Sequence, residues 1–155
     1  MKMTTRTLRM IVQAWHCDHV GHLNAGFYMQ LLGDAAFSLL AEHGLDGEAS
    51  RRRGVNMAAV RAEIDFKREL KPGDTVGMDT DLAELSARTV VLRHRLMRLG
   101  DNALTMDARL TAVCLDLNTR KARPFPEDIA ARLASLLEPV AGVTMAPVQP
   151  LQITS

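Results

Sequence analysis

The chain has 155 residues, a length typical of one domain and sufficient to bury a sizeable hydrophobic core without disulfides or metals. Hydrophobic residues make up 47% of it and charged residues 24%, which is the composition of an ordinary soluble protein. The formal net charge of +1 shows no overall excess of basic or acidic residues, so composition as a whole indicates neither a nucleic-acid nor a membrane partner.

Cysteine content and the first residues of the chain indicate the compartment. The two cysteines, Cys17 and Cys114, are too few for a disulfide framework and fit a reducing environment. Residues 1–6 lack the apolar run that follows the basic start of a signal peptide. The longest apolar region, residues 31–41, contains Asp34 and is too short to span a bilayer. We therefore expect a cytoplasmic protein.

The first predicted element is a strand over residues 4–14, in which Leu8, Met10 and Val12 share one face. A polar segment over residues 16–24, here called the histidine-rich turn, connects this strand to a long apolar helix predicted over residues 25–43. The turn holds three of the five histidines together with a cysteine and an aspartate. Polar side chains crowded between a strand and a helix are typical of a functional site.

The predicted start of the helix can stabilise negative charge. Asn24 is the expected N-cap, because its side-chain oxygen can accept a hydrogen bond from the N–H of Gly26 or Phe27. The N–H of Ala25 is then free at the positive end of the helix. Asp18 lies one short loop upstream. A carboxylate and a helix N-terminus on one turn can attack a carbonyl carbon, or deliver water to it, while the helix holds its oxygen.

The rest of the chain predicts a sheet around this helix. The helix is apolar on most of its circumference, so other structure must wrap it. After a polar loop over residues 45–55 come four extended segments separated by hairpin-like turn signals. These segments cover residues 57–70, 75–85, 89–99 and 103–117. The pattern predicts an α+β fold, in which an antiparallel meander carries the first strand at an edge or inserted.

The C-terminal part of the chain predicts a short helix and a tail. The helix covers residues 127–138. Its apolar face consists of Ile129, Leu133, Leu136 and Leu137. Past Pro139 the composition changes to Pro, Val, Thr and Gln without periodicity. We therefore expect a folded domain over residues 1–139 and a flexible tail over residues 140–155.

Two stretches resemble a known family. Residues 17–28, CDHVGHLNAGFY, are similar to the signature of the 4-hydroxybenzoyl-CoA thioesterase family, whose members have the hot dog fold. Residues 66–74, FKRELKPGD, are similar to a strand-and-turn segment of this family that ends in Pro-Gly-Asp. The resemblance extends over residues 8–129, and it implies an antiparallel sheet wrapped around a long central helix.

The resemblance implies roles for the residues of the turn. In the family, the aspartate that matches Asp18 acts as nucleophile or as general base on water, and both roles stay open here. The N–H of Ala25 matches the oxyanion donor of the family at the helix start. His22 either hydrogen-bonds near the thioester or only orders the turn together with Asn24. Tyr28 lies one turn into the helix and is expected in the core.

The implied activity is that of an acyl-CoA thioesterase, which hydrolyses an acyl-CoA thioester to the free carboxylic acid and CoA. Thiolate is a good leaving group, so the reaction needs little acid assistance. CoA enters as part of the substrate, and neither a metal nor a redox cofactor is required. We expect an apolar acyl chain or a small ring to contact Phe27, Leu31, Met57 and Val60.

The resemblance also implies an oligomer, because CoA lies between two subunits in hot dog enzymes. The minimum is a homodimer, and apolar residues on the exposed face of the sheet would add a sheet-to-sheet contact that gives a homotetramer. The CoA phosphates need basic partners. Arg88, with Ser86 and Thr89, resembles the region that relatives use, and Arg123 is a second candidate.

Three alternatives compete with hydrolysis. A hydratase-type hot dog enzyme acting on enoyl-CoA would use Asp18 and His22 for proton transfer. A noncatalytic acyl-CoA-binding module would keep the pocket and survive the loss of Asp18. A zinc site would draw on His16, His19 and His22, but side chains in a strand-to-loop transition point in different directions, and Cys17 has no partner motif. We therefore expect no metal site.

Overall fold

The computed structural model describes residues 4–137, which form a five-stranded sheet and three α-helices. The elements are β1 (Thr5–Ile11), α1 (Ala25–Glu42), α2 (Gly47–Arg53), β2 (Val55–Phe66), β3 (Thr75–Leu85), β4 (Thr89–Arg98), β5 (Ala103–Asp116) and α3 (Glu127–Ala134). The predicted α+β class is confirmed. The expected tail lies outside the described residues, and no helix within them is long and apolar enough to cross a membrane.

The strand order is β1-β3-β4-β5-β2, and all neighbours are antiparallel. The predicted four-strand meander is wrong at its first step, because β2 does not pair with β3. It crosses to the far edge of the sheet and pairs with β5, where Val55 lies opposite Asp116 and Phe66 opposite Met106. The Pro-Gly-Asp segment is therefore part of a crossover connection. Strand β1 lies at the other edge, one of the two positions predicted for it.

Helix α1 packs its buried side against the sheet, as its apolar sequence predicts. Its C-terminal half contributes Leu39 and Leu40 to a cluster that also contains Leu92 of β4. Its N-terminal half contributes Leu32 to a second cluster with Met78 of β3. Each of these four leucines is at most 2% exposed. Because full burial of such a side chain is worth roughly 1.5–3 kcal/mol, these contacts fix the helix and the turn that precedes it.

A chain of polar side chains lies between the two clusters. His94 is fully buried, and its Nδ1 is 2.9 Å from Oγ1 of Thr80, which in turn is 2.8 Å from Oγ1 of Thr7. The buried Nε2 of His94 has no hydrogen-bond partner within residues 4–137. Burial lowers the pKa of His94 to about 4, although the nearby charge of Asp81 opposes the shift. The imidazole is therefore neutral at pH 7.

The loop predicted over residues 45–55 is wrong, because most of it forms α2. The side chain of Asp46 accepts a hydrogen bond of 2.8 Å from the N–H of Ala49, and Gly54 ends the helix with a φ of +66°. Glu48 in the first turn and three arginines in the last turn complement the helix dipole. These capping signals are present in the sequence, where the polar composition suggests a loop.

The face of the sheet turned away from α1 carries ion pairs. Arg95 lies 2.8 Å from Asp81, Arg93 lies 2.6 Å from Asp107, and Arg109 lies 2.7 Å from Glu84. Arg6 and Asp79 form a further pair. These ion pairs make the described part of this face more polar than a sheet-to-sheet contact would favour, and the homotetramer stays a prediction.

Candidate active site

The histidine-rich turn connects β1 to α1, and main-chain hydrogen bonds within the turn fix its shape. The N–H of Asp18 donates to the carbonyl of His22 at 3.2 Å, and the N–H of Gly21 donates to the carbonyl of Asp18 at 3.0 Å. Gly21 has a φ of +93°, a conformation that glycine adopts without strain. The N–H of Leu23 donates to the carbonyl of Leu70 at 2.8 Å. This bond attaches the turn to the second of the two family-like stretches.

The start of α1 has the predicted cap. The side-chain oxygen of Asn24 accepts a hydrogen bond of 2.8 Å from the N–H of Gly26, which confirms Asn24 as the N-cap. The N–H of Phe27 donates to the carbonyl of Asn24 at 3.0 Å. The N–H of Ala25 has no acceptor among the described residues. It is therefore available to a ligand at the positive end of the helix.

Asp18 combines a structural contact with a free oxygen. Its Oδ1 accepts a hydrogen bond of 2.9 Å from the N–H of Val20, the usual contact of an aspartate in a turn. Within residues 4–137 its Oδ2 has no donor, and the residue is half-buried. One oxygen therefore orders the loop, and the other remains able to react.

A cavity of about 400 Å³ brings the predicted residues Asp18, His22 and Ala25 together. Its complete lining is Asp18, His22, Leu23, Ala25, Tyr28, Phe66, Lys67, Arg68 and Glu69. The rings of Tyr28 and Phe66 meet edge to face, with centroids 5.0 Å apart. Asn24, the fourth predicted residue, does not line the cavity, and its side chain contributes by holding the helix start.

None of the four residues predicted to contact the acyl group lines this cavity. Leu31 and Met57 lie in the core, at 5% and 8% exposure. Phe27 packs against the ring of His16, with centroids 4.9 Å apart, and Val60 is 60% exposed on the edge strand. The wall is formed instead by Phe66 to Glu69, a segment whose approach to the turn depends on the long-range bond between Leu23 and Leu70.

The histidines of the turn have different surroundings. Nε2 of His22 lies 3.9 Å from Oε1 of Glu69 on the cavity wall. His16 is buried, and its Nδ1 accepts a hydrogen bond of 2.9 Å from the N–H of Gln13. His19 is exposed. In the part of the chain that the structure describes, no three His, Cys, Asp or Glu residues converge as a metal site would require.

The residues predicted to bind CoA lie elsewhere in the subunit. Ser86 and Thr89 close the turn between β3 and β4, where Ser86 Oγ accepts a hydrogen bond of 3.0 Å from the N–H of Thr89. Thr89 of β4 pairs with Val113 of β5, and Phe66 of β2, which lines the cavity, pairs with Met106 of the same strand. Seven strand residues separate these positions by about 23 Å. One subunit therefore does not bring Arg88, Ser86 and Thr89 to the cavity that contains Asp18.

Comparison with known proteins gives consistent matches. Residues 12–133 match the thioesterase-like superfamily. Betainyl-CoA thioesterase from Pseudomonas aeruginosa is 25% identical over 121 residues, which cover 78% of this chain and 76% of that protein. Long-chain acyl-CoA thioesterase FadM from Escherichia coli is 22% identical over 127 residues, which cover 82% of this chain and 96% of that protein.

The fold of this chain also resembles that of solved structures. A Staphylococcus aureus protein solved in complex with CoA superposes with a TM-score of 0.82 at 17% identity, covering 97% of this chain and 94% of that one. Likeness at this identity establishes the fold, and the superfamily match extends over most of the chain. The resemblance found in the sequence is confirmed for the superfamily, and membership of the narrower 4-hydroxybenzoyl-CoA branch stays a prediction. The chain belongs to the thioesterase-like superfamily and has the hot dog fold.

Proposed function

We propose that the protein hydrolyses acyl-CoA thioesters through the cavity at the start of α1. The observation that carries this proposal is that the Asp18 carboxylate and the N–H of Ala25 line one cavity, each with a hydrogen-bonding position that no residue from 4 to 137 occupies. These are a reactive oxygen and an oxyanion donor on one turn. The two relatives described above are both thioesterases of acyl-CoA substrates.

Two routes use the same groups. As a nucleophile, Asp18 attacks the thioester carbonyl carbon, CoA leaves as thiolate, and water hydrolyses the acyl-aspartate anhydride to restore the carboxylate. As a general base, Asp18 takes a proton from water as the oxygen of that water attacks the carbonyl carbon, and the leaving thiolate then takes this proton so that the carboxylate is restored. In both routes the N–H of Ala25 and the helix dipole stabilise the oxyanion. Asn24 holds this N–H in place, and His22 with Glu69 orders the opposite wall.

A thiol-release assay tests the proposal. We expect purified protein to release CoA from at least one of betainyl-CoA, palmitoyl-CoA, butyryl-CoA and benzoyl-CoA, a panel that includes the acyl classes named for the two relatives. Free CoA serves as the binding control. Binding of CoA without thiol release from any substrate would overturn hydrolysis and favour an acyl-CoA-binding module.

We further infer that the active form is a cytoplasmic homodimer joined through β2. Among residues 4–137 this 12-residue strand pairs only with β5, so within that range its other edge presents main-chain groups without a partner. Val60 and Phe66 on the strand are 60% and 56% exposed, and Met29 and Phe37 on α1 are 44% and 49% exposed. An exposed apolar edge of this kind is suited to pairing with a second copy.

Such a dimer would bring basic residues of one subunit to the cavity of the other. Two β2 strands related by a twofold axis run antiparallel, so Val55 of one lies near Phe66 of its partner. The end of the sheet near Val55 carries cations without a carboxylate partner in the described ranges. They are Arg51, Arg52, Arg88, Arg120 and Lys121. The CoA phosphates would thus contact Arg88, with Ser86 and Thr89, of the partner subunit.

Charge reversal at this end should affect the binding of the nucleotide part of the substrate. We expect Arg88→Glu to raise KM for acyl-CoA about tenfold, equivalent to about 1.4 kcal/mol, with little change in kcat. KM for the matching acyl-pantetheine, which lacks the nucleotide, should stay constant. Arg9→Glu makes the same charge change on β1 and serves as the control. Equal effects on both substrates would contradict a phosphate contact.

Mixed dimers distinguish a contact within one subunit from a contact across the dimer. Asp18→Asn and Arg88→Glu subunits are mixed and assayed well below KM. In the twofold arrangement, each heterodimer has one complete site, so the mixture should recover about a quarter of wild-type activity. A mixture less active than Arg88→Glu alone would place the arginine in the same subunit as Asp18.

A further inference from the structure

The side chain of Tyr28 is part of the candidate active site. The residue is only 5% exposed, yet it lines the cavity with Asp18 and Ala25. Within residues 4–137 its hydroxyl makes no hydrogen bond. The residue is buried, but its hydroxyl oxygen is not among the fully buried polar atoms that lack a partner, so the hydroxyl is open to the cavity and available to a bound ligand. The sequence pattern places Tyr28 in the core and gives no reason to assign it chemistry.

The position of Tyr28 on α1 directs its side chain to the helix start. Long side chains in helices lean toward the N-terminus, and Tyr28 follows Ala25 by three residues on the same face. The ring of Phe66 packs against it at an interplanar angle of 76°. This contact limits the movement of the ring, so the hydroxyl is held in place before substrate binds.

The helix start offers only one main-chain donor in the part of the chain that the structure describes. The N–H of Gly26 donates to the side chain of Asn24, and the N–H of Phe27 donates to the carbonyl of Asn24. Of these N–H groups, that of Ala25 remains for a ligand. Oxyanions in acyl transfer are commonly held by two donors, and tyrosine hydroxyls serve as such donors. The other side-chain donors on the wall are His22, which the carboxylate of Glu69 faces, and Lys67 and Arg68, which belong to the connection after β2 and not to the helix start.

The protonation state of Tyr28 suits a donor. Burial raises the pKa of the phenol above its usual value, and negative charge at Cys17 and Glu69 raises the pKa further. The hydroxyl therefore keeps its proton throughout the neutral range.

We propose that the Tyr28 hydroxyl is the second oxyanion donor and acts with the N–H of Ala25 on the thioester carbonyl oxygen. This inference rests on the proposed hydrolysis at the same site. Tyr28 is then a catalytic residue, because its hydrogen bond strengthens as negative charge develops on the oxygen. Its ring forms part of the core, and its hydroxyl takes part in the reaction.

The substitution Tyr28→Phe removes the hydroxyl and keeps the ring. We expect kcat to fall about 10²-fold, as for loss of other oxyanion donors, with KM within about twofold of wild type. The midpoint of thermal unfolding should not change. Thr111→Val removes a half-buried hydroxyl from β5, outside the cavity, and is the matched control. A Tyr28→Phe enzyme with wild-type kcat would overturn the proposal.

Binding of a non-reacting analogue separates catalysis from substrate recognition. An S-alkyl-CoA thioether lacks the carbonyl, so wild type and Tyr28→Phe should bind it equally well. A variant that binds the thioether more weakly and has a higher KM with an unchanged kcat would show that the hydroxyl contacts the acyl or pantetheine group. That result would overturn the oxyanion role. Wild-type protein that releases no thiol would overturn the proposed function itself, which is a separate outcome.

Discussion

Replacement of Asp18 by asparagine should lower kcat for acyl-CoA hydrolysis about 10³-fold, within the range attributed to a lost general base. The amide neither attacks the carbonyl carbon nor takes a proton from water. Its oxygen can still accept the 2.9 Å hydrogen bond from the N–H of Val20, so the turn should keep its shape. The rate is measured by thiol release at saturating substrate, and binding by titration with an S-alkyl-CoA thioether.

The chain offers a matched control for this substitution. Asp74 also lies in a turn, accepts a hydrogen bond of 2.9 Å from the N–H of Lys71, and follows a glycine, Gly73, with a φ of +93°. It does not line the cavity, so Asp74→Asn should leave the rate unchanged. An Asp18→Asn variant that hydrolyses substrate within about threefold of wild type would show that Asp18 is structural. Hydration of an enoyl-CoA by wild type, without thiol release, would favour the hydratase alternative.

The second large effect concerns stability at acid pH and arises from His94. Its pKa is about 4 in the folded protein, against an ordinary value of 6.5 for a solvated histidine side chain. Between these values the unfolded chain binds more protons, so the free energy of unfolding falls as the pH falls. The stabilisation is complete above pH 6.5 and is lost as the pH falls through 4. The loss between pH 7 and pH 4 amounts to about 3 kcal/mol.

The substitution His94→Gln isolates this contribution, because glutamine does not titrate and can still hydrogen-bond to Thr80. Urea unfolding at pH 7 and pH 4 gives the pH dependence of each protein. Wild type should lose about 3 kcal/mol more than the variant over this interval. Asp101 and Asp128, whose pKa values are lowered to about 2 by bonds from Arg98 and Arg53, affect both proteins alike. Equal pH dependence in the two proteins would show that His94 titrates normally.

The features that could be predicted from the sequence are those that depend on residues close together in the chain. The expected bounds of β3 agree with Thr75–Leu85, and the predicted start of α1 with its cap at Asn24 is confirmed. Alternation and capping act over a few residues, so one sequence reveals them. Pairing of β2 with β5 depends on contacts between segments about 50 residues apart in the chain. The turn after β2 has the same composition whether it closes a hairpin or begins a crossover.

The candidate site also contains residues that the sequence places together and residues that only the fold brings there. Asp18, His22 and Ala25 belong to one turn, so the motif alone places them together. Phe66 to Glu69 come from a distant segment, and only the fold shows that they form the opposite wall. The prediction that Tyr28 is buried is correct, but burial in a sequence pattern does not reveal a hydroxyl that faces a cavity.

The crossover after β2 has a consequence for the divergence of substrate preference. Three residues of the cavity wall, Lys67, Arg68 and Glu69, belong to this connection and to no strand, whereas Asp18 and Ala25 belong to the turn and helix. Connections tolerate insertions and substitutions that sheets do not. The lining of the cavity can therefore diverge by changes in one surface connection while Asp18 and Ala25 keep their places.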